Sequence, residues 1–189
     1  DGVPIVMLPG RLTRWKGQLV LIEAISKLEH RNIRCLLVGS AQGREDYRRE
    51  LEARIVRHGL EEVVRIVDHC EDMAAAYKLT DLVVSASTDP EAFGRIVCEA
   101  QAMGRPVIAT DHGGAKETVI PGETGWLVPP GDADALAQAI EKVLKLDSAQ
   151  RSTLAGKAIA NVRDNFSKAN MCTKTLDVYD EVLGIRPAG

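Results

Sequence analysis

Short apolar runs alternate along the chain with longer stretches in which apolar residues recur at intervals of three and four. The runs fall at 5–8, 34–38, 63–67, 82–86, 106–110 and 126–128, and turn residues bound each of them. A near-continuous apolar run is what a strand buried on both faces requires, whereas a strand with one wet face alternates. Between the runs, segments such as 18–25 and 47–56 carry the helical spacing. Strands alternating with helices predict crossover units, and hence an α/β fold with a doubly wound, mostly parallel six-stranded sheet. After the sixth run the pattern is helical only, at 134–146, 149–165 and 167–183, and such a tail is expected to pack over a neighbouring edge. No repeat, low-complexity segment or Pro/Gly/Ser-rich linker precedes Pro187. Residues 1–189 therefore read as one domain, with 147–189 as its C-terminal helical extension.

Composition narrows the function classes. A chain of 189 residues buries roughly 70% of its unfolded surface and needs no disulfide staple to fold. No apolar run approaches the ~20 residues of a bilayer span. A net charge of -3 without a Lys/Arg block argues against a nucleic-acid partner and leaves small anionic ligands open. Cys35, Cys70, Cys98 and Cys172 form no Cys-x-x-Cys and read as reduced thiols, mostly buried. The chain opens on Asp1-Gly2-Val3-Pro4 and runs straight into a strand, so we expect a cytoplasmic protein cut from a longer one.

In open α/β sheets ligands bind beyond the carboxyl ends of the strands, so the loops after each run are the places to look for chemistry. The first reads Pro9-Gly10-Arg11-Leu12-Thr13-Arg14-Trp15-Lys16-Gly17. Glycines allow close backbone approach, and Arg11 and Lys16 can neutralise a phosphate beside a helix start. A solvated basic loop is the bland alternative, and Gly-x-Gly-x-x-Gly is absent. The loop after the fourth run holds Glu91, Phe93, Gly94 and Arg95, then enters a helix through Glu99. If the intervening residues were all helical, Glu91 and Glu99 would lie ~12 Å apart along the axis, suited to different hydroxyls of one extended ligand. Structural roles account for the same residues: a carboxylate near a helix start for Glu91, and an i, i+4 pair for Arg95 with Glu99. After the fifth run, His112-Gly113-Gly114 offers a third set of backbone amides on the same edge.

Asp132-Ala133-Asp134 has the Asp-x-Asp spacing that some sugar transferases use for a divalent metal. It opens the helical segment 135–140, where aspartates cap the helix and complement its dipole, and that role is the better account. His30, His58, His69 and His112 show no metal spacing with one another. No bound metal and no cofactor are expected.

The combination resembles the C-terminal half of the retaining glycosyltransferase family 4, the group 1 family. The resemblance covers the chain from about Pro4 to Leu146. It rests on Gly10-Arg11-Leu12 with Lys16-Gly17, Glu91 and Glu99 in Glu-x7-Glu spacing, Phe93-Gly94, Gly104-Arg105-Pro106-Val107, Gly113-Gly114 and Thr124-Gly125-Trp126-Leu127-Val128. Each element is weak alone, but their order and spacing are specific.

That resemblance implies a GT-B arrangement of two Rossmann-like domains facing a cleft, with this chain as the half that binds a nucleotide-diphosphate sugar and with the N-terminal acceptor domain absent. Arg11 and Lys16 would hold the diphosphate, and Glu91 with the backbone of Phe93 and Gly94 would contact the sugar. Glu99 would accept from the ribose hydroxyls, while Gly39, Ser40 and the stretch 65–67, Val67 included, would flank the base. Gly10, Arg95, Gly113 and Gly114 complete the implied donor-binding set. A UDP- or GDP-sugar is expected over an ADP-sugar, a glycan or lipid as acceptor, and peripheral placement at the inner membrane through the other domain. The family's usual glycine after the third strand is here Asp68, followed by His69. The C-terminal helices should leave apolar surface for the missing half. Two other classes share parts of this frame: sugar-nucleotide epimerases, whose motifs do not match comparably, and a module that binds nucleotide sugar without turnover.

Overall fold

The computed structural model describes residues 2–185. Position 1 and positions 186–189, the ends of the expected domain and of its helical extension, lie outside them. Six strands form one sheet: β1 (Ile5–Pro9), β2 (Arg34–Val38), β3 (Val64–Val67), β4 (Leu82–Ser85), β5 (Val107–Thr110) and β6 (Trp126–Val128). Their order is β3-β2-β1-β4-β5-β6, and every pairing is parallel. The sheet is thus wholly rather than mostly parallel.

Alternation along each strand sorts side chains onto two faces. Val6 and Leu8 of β1, Leu82 and Val84 of β4 and Ile108 of β5 point into one core, filled by α1 (Gln18–Ser26), α2 (Glu45–Arg57) and α6 (Ala133–Leu144). Met7, Val83, Val107 and Ala109 point into the other, beneath α3 (Met73–Leu79), α4 (Arg95–Ala102) and α5 (Ala115–Thr118). Both faces are dry, which is why the strands read as unbroken apolar runs.

Two helices follow, α7 (Ser148–Asn165) and α8 (Lys168–Val182). Asp147 starts α7 through a reciprocal capping box with Gln150, and Ser167 caps α8 by accepting from the Asn170 amide. Contrary to the expectation of an edge, α7 lies on α4, where Gly104 leaves room for Ala155 and Ile159. A half-buried amide pair bolts the two together. Asn161 donates to Gln101 Oε1 and to the Thr118 carbonyl, both at 3.0 Å, and Gln101, fully buried, donates to the same carbonyl at 2.9 Å. Helix α8 buries none of its residues, and Met171, Leu176, Val178, Tyr179 and Val182 stand exposed. Among the described residues no helix is long and apolar enough to cross a membrane.

One glycine holds the two loops of the site together. Gly17 has φ +73, and a Cβ built there would lie 1.8 Å from the Ala86 carbonyl oxygen, directly after β4. Gly17→Ala should cost about 3 kcal/mol, combining ~1–2 for a left-handed non-glycine residue with the shift needed to relieve the clash. Urea unfolding measures it, and a loss below ~1 kcal/mol would mean that the two loops do not touch in solution.

Candidate functional site

In a doubly wound sheet the strand order reverses at one place, here between β1 and β4, and the loops leaving those strands diverge and open a crevice. A cavity of about 950 Å³ lies there. The β1 loop forms one wall with Gly10, Arg11, Trp15 and Lys16. Glu91, Phe93, Gly94, Arg95 and Glu99 line the cavity from the β4 loop and α4, Gly39 and Ser40 from the end of β2, and His69, Cys70, Met73 and Tyr77 from α3 and the loop before it.

The two main walls are joined by an ion pair. Lys16 Nζ lies 2.7 Å from Glu91 Oε2, with the two side chains 11% and 18% exposed. The same ammonium sits 4.4 Å from the centre of the Trp15 ring. Glu91's other oxygen accepts from the Ser87 hydroxyl at 2.5 Å, so both carboxylate oxygens are engaged. Ser87 is itself fixed, because its carbonyl accepts from Thr110 Oγ1 and from His112 Nε2, each at 2.9 Å. A carbonyl can only accept, so Nε2 carries the proton in His112, and its buried Nδ1 has no protein partner. Arg11 differs from Lys16: it is exposed on the cavity wall, and no carboxylate among the described residues pairs with it.

Glu99 is positioned from α3. The buried Tyr77 hydroxyl donates to Glu99 Oε2 at 2.8 Å. Burial first, then the hydrogen bond and charge of Glu99, pushes the Tyr77 phenol far above its ordinary value, so it stays a neutral donor. The i, i+4 pair that would give Arg95 and Glu99 a purely structural role is not formed. Helix α4 begins only at Arg95, after Gly94 in the left-handed region with φ +72, so Glu91 stands on the loop and not one helical face away from Glu99.

Ten of the thirteen residues expected at the site line the cavity: Gly10, Arg11, Lys16, Gly39, Ser40, Glu91, Phe93, Gly94, Arg95 and Glu99. Three do not. Val67 supports Gly39 from outside, accepting its amide at 2.9 Å. Gly113 and Gly114 stand behind the Glu91 loop, and their missing side chains make room for protein and not for a ligand. A Cβ on Gly113 would meet the Glu91 carbonyl oxygen at 2.3 Å and one on Gly114 the Phe93 backbone at 2.6 Å, while the Gly114 amide donates to the Glu91 carbonyl at 2.8 Å.

Sequence reasoning overlooked Tyr77, Met73 and Ser87. Asp72 caps α3 by accepting from the Ala75 amide, a start signal that would have revealed the helix carrying Met73 and Tyr77. Asp132 caps α6 in the same way, as expected, and Asp134 accepts from Lys27. Among the described residues no three His, Cys, Asp or Glu side chains gather within reach of one metal ion.

Comparison with known proteins agrees with this geometry. The family "Glycosyl transferases group 1" matches residues 1–161. A D-inositol 3-phosphate glycosyltransferase of Corynebacterium efficiens is 33% identical over 190 residues, covering 95% of this chain and 44% of that protein. Among solved structures, a glycosyltransferase of Rickettsia africae superposes with a TM-score of 0.92 at 40% identity, over 97% of this chain and 48% of that one. Anabaena HepE, solved in complex with UDP and glucose, gives 0.88 at 34% identity over 96% and 49%. The C-terminal domain of a group 1 family protein of Francisella tularensis gives 0.79 at 26% identity over 89% and 88%. The chain thus spans about half the length of the full-length relatives it matches. It belongs to the group 1 glycosyl transferases, and its fold is the Rossmann-like C-terminal half of their GT-B architecture.

Proposed function

We propose that this chain is the donor-binding domain of a retaining glycosyltransferase that moves a sugar from a UDP- or GDP-sugar to a glycan or lipid acceptor held by an N-terminal domain. The observation that carries this reading is the convergence of Arg11, Lys16, Glu91 and Glu99 on one cavity at the switch point. A nucleotide sugar has three polar parts in sequence, namely ribose, diphosphate and hexose. Glu99 answers the first, Arg11 and Lys16 the second, and Glu91 with the backbone of Phe93 and Gly94 the third. HepE has been solved with UDP and with UDP-glucose, which favours uridine as the base.

Bond cleavage sends the electron pair of the anomeric C–O bond onto the diphosphate. Arg11 and Lys16 meet that charge with preorganised cations and no metal is required. The sugar becomes oxocarbenium-like, and the acceptor hydroxyl attacks from the face the diphosphate leaves and passes its proton to the departing diphosphate oxygen, so configuration is retained. Glu91 is a poor covalent nucleophile, since both its oxygens already accept hydrogen bonds. It serves to hold the sugar hydroxyls. Acceptor binding lies outside this chain, so the isolated domain binds donor and turns nothing over. The exposed stripe of Met171, Val178, Tyr179 and Val182 on α8 would pack on the missing half.

In the full-length enzyme, Arg11→Ala and Lys16→Ala should each cut turnover by ~10² or more, the scale of losing a charge-stabilising group. Near-normal turnover in both, with unchanged melting temperature, removes this mechanism. Glu99→Ala should weaken nucleoside diphosphate binding to this chain by ~1–3 kcal/mol, measured by calorimetry. Thermal shifts with UDP, GDP and ADP should separate the base, since only a ligand bound by the folded state raises its melting temperature. UDP should give the largest rise, and equal shifts for all three would refute a base-selective site.

A further inference from the structure

The loop 91–94 is held on three sides by three unrelated parts of the chain. From the loops that follow β4 and β1, the Ser87 hydroxyl and Lys16 fix the Glu91 carboxylate. From behind, Gly114 fixes the Glu91 carbonyl and packs against the Phe93 backbone. The third side is the corner between α7 and α8. Phe166, the residue that ends α7, places its ring edge-on to Phe93, with centroids 6.0 Å apart and planes at 60°. This geometry is the attractive one for two aromatic quadrupoles.

The corner itself is built to hold its shape. The Phe166 amide still donates to the Val162 carbonyl at 2.8 Å, continuing α7 by one bond. Asn170, in the first turn of α8, turns back and donates through its side-chain nitrogen to the carbonyls of Asp164 and Asn165, at 3.1 and 3.0 Å. Ser167 caps α8 in between. The body of α7 is bolted to α4 by Asn161 and Gln101. Phe166 therefore sits on a frame fixed at both ends, whereas Phe93 lies on an irregular loop and is 44% exposed. Between a fixed ring and a loop ring, the loop ring is the one whose freedom the contact removes.

We propose that Phe166 is a positioning residue, whose ring holds Phe93 and so sets the loop 91–94 for the sugar of the donor. Its influence passes through Phe93, and it touches no ligand itself. The proposal deepens the donor reading given above and rests on it for the identity of the ligand. It also gives the α7–α8 corner a role beyond joining two helices: whatever moves α8 relative to α7 acts on the sugar-binding loop through one ring contact.

Two measurements test it on this chain with Phe166→Ala and Phe166→Tyr. The first needs no ligand, namely amide exchange at Gly114, whose hydrogen bond to the Glu91 carbonyl reports on the loop. Phe166→Ala should speed that exchange about five-fold relative to the β4 amides, the scale of one aromatic edge contact, and Phe166→Tyr should restore it. The second is calorimetry with UDP-glucose and with UDP. Phe166→Ala should weaken UDP-glucose about five-fold and leave UDP within about two-fold, because only the sugar reaches the loop. Unchanged Gly114 exchange in Phe166→Ala overturns the proposal. So does exchange that accelerates equally in β4, or an equal loss for both ligands, since either marks a merely structural residue. If the wild-type chain binds neither ligand, the donor assignment fails, and the exchange measurement still decides the clamp.

Discussion

The ion pair between Lys16 and Glu91 is the contact around which the site is organised, and it is an unfavourable thing to bury. Taking both charges from water costs several kcal/mol per ion, and their attraction repays this only when further hydrogen bonds satisfy what remains. Here the Ser87 hydroxyl and the Trp15 ring supply part of that repayment. A well-packed apolar pair would hold the β1 and β4 loops together at least as well, so stability alone gives no reason for these residues. The pair does give a cavity wall in which a cation and a carboxylate are already oriented before any ligand arrives. Because the two charges cancel, the exposed guanidiniums of Arg11 and Arg95 are the cavity's cations that no described carboxylate pairs with, and they would draw in the proposed diphosphate.

That orientation depends on backbone geometry more than on the pair itself. Lys16 and Glu91 belong to loops 75 residues apart in sequence, brought together because β1 and β4 are neighbours at the reversal of strand order. Gly17 lets the first loop lie against the Ala86 carbonyl, and Gly113 and Gly114 let the second be backed by protein. Both walls are thereby fixed from the side away from the cavity. Catalysis by charge stabilisation works best when the donors need not reorganise, so glycines packed against protein backbone would still serve the proposed chemistry.

The strands were legible because a sheet covered on both faces leaves unbroken apolar runs; β2 and β6 coincide with the expected segments, and the others differ by a residue at an end. The loop residues were legible because the family's motif spacing is specific. What the sequence hid has physical causes. A glycine pair signals close approach without saying to what, so Gly113 and Gly114 were taken for ligand contacts when protein backbone fills that space. Local spacing offered Arg95, at i, i+4, only as a structural alternative for Glu99, and its protein partner is Tyr77 from another helix, a contact that local spacing does not encode. The helix start was legible to within a residue, since the loop was read through Arg95 and α4 begins there, after Gly94 in the left-handed region.

The two last helices differ in what holds them, and the difference bears on the length of chain to which this domain belongs. Helix α7 is secured by the buried Leu154 and Ala158 and by the Asn161–Gln101 pair. Helix α8 has a good cap and a firm corner but buries no residue. Fifteen residues of isolated helix are marginal in water, and most helical stability comes from packing an apolar face. Met171, Val178, Tyr179 and Val182 recur at the spacing of such a face, yet nothing among the described residues covers them. A stripe of that kind is costly to leave wet, and the full-length relatives run to about twice this chain's length. The covering surface proposed for it is therefore the other half of the molecule. Since the corner that starts α8 also carries Phe166, docking of that half and setting of the sugar loop would share one joint.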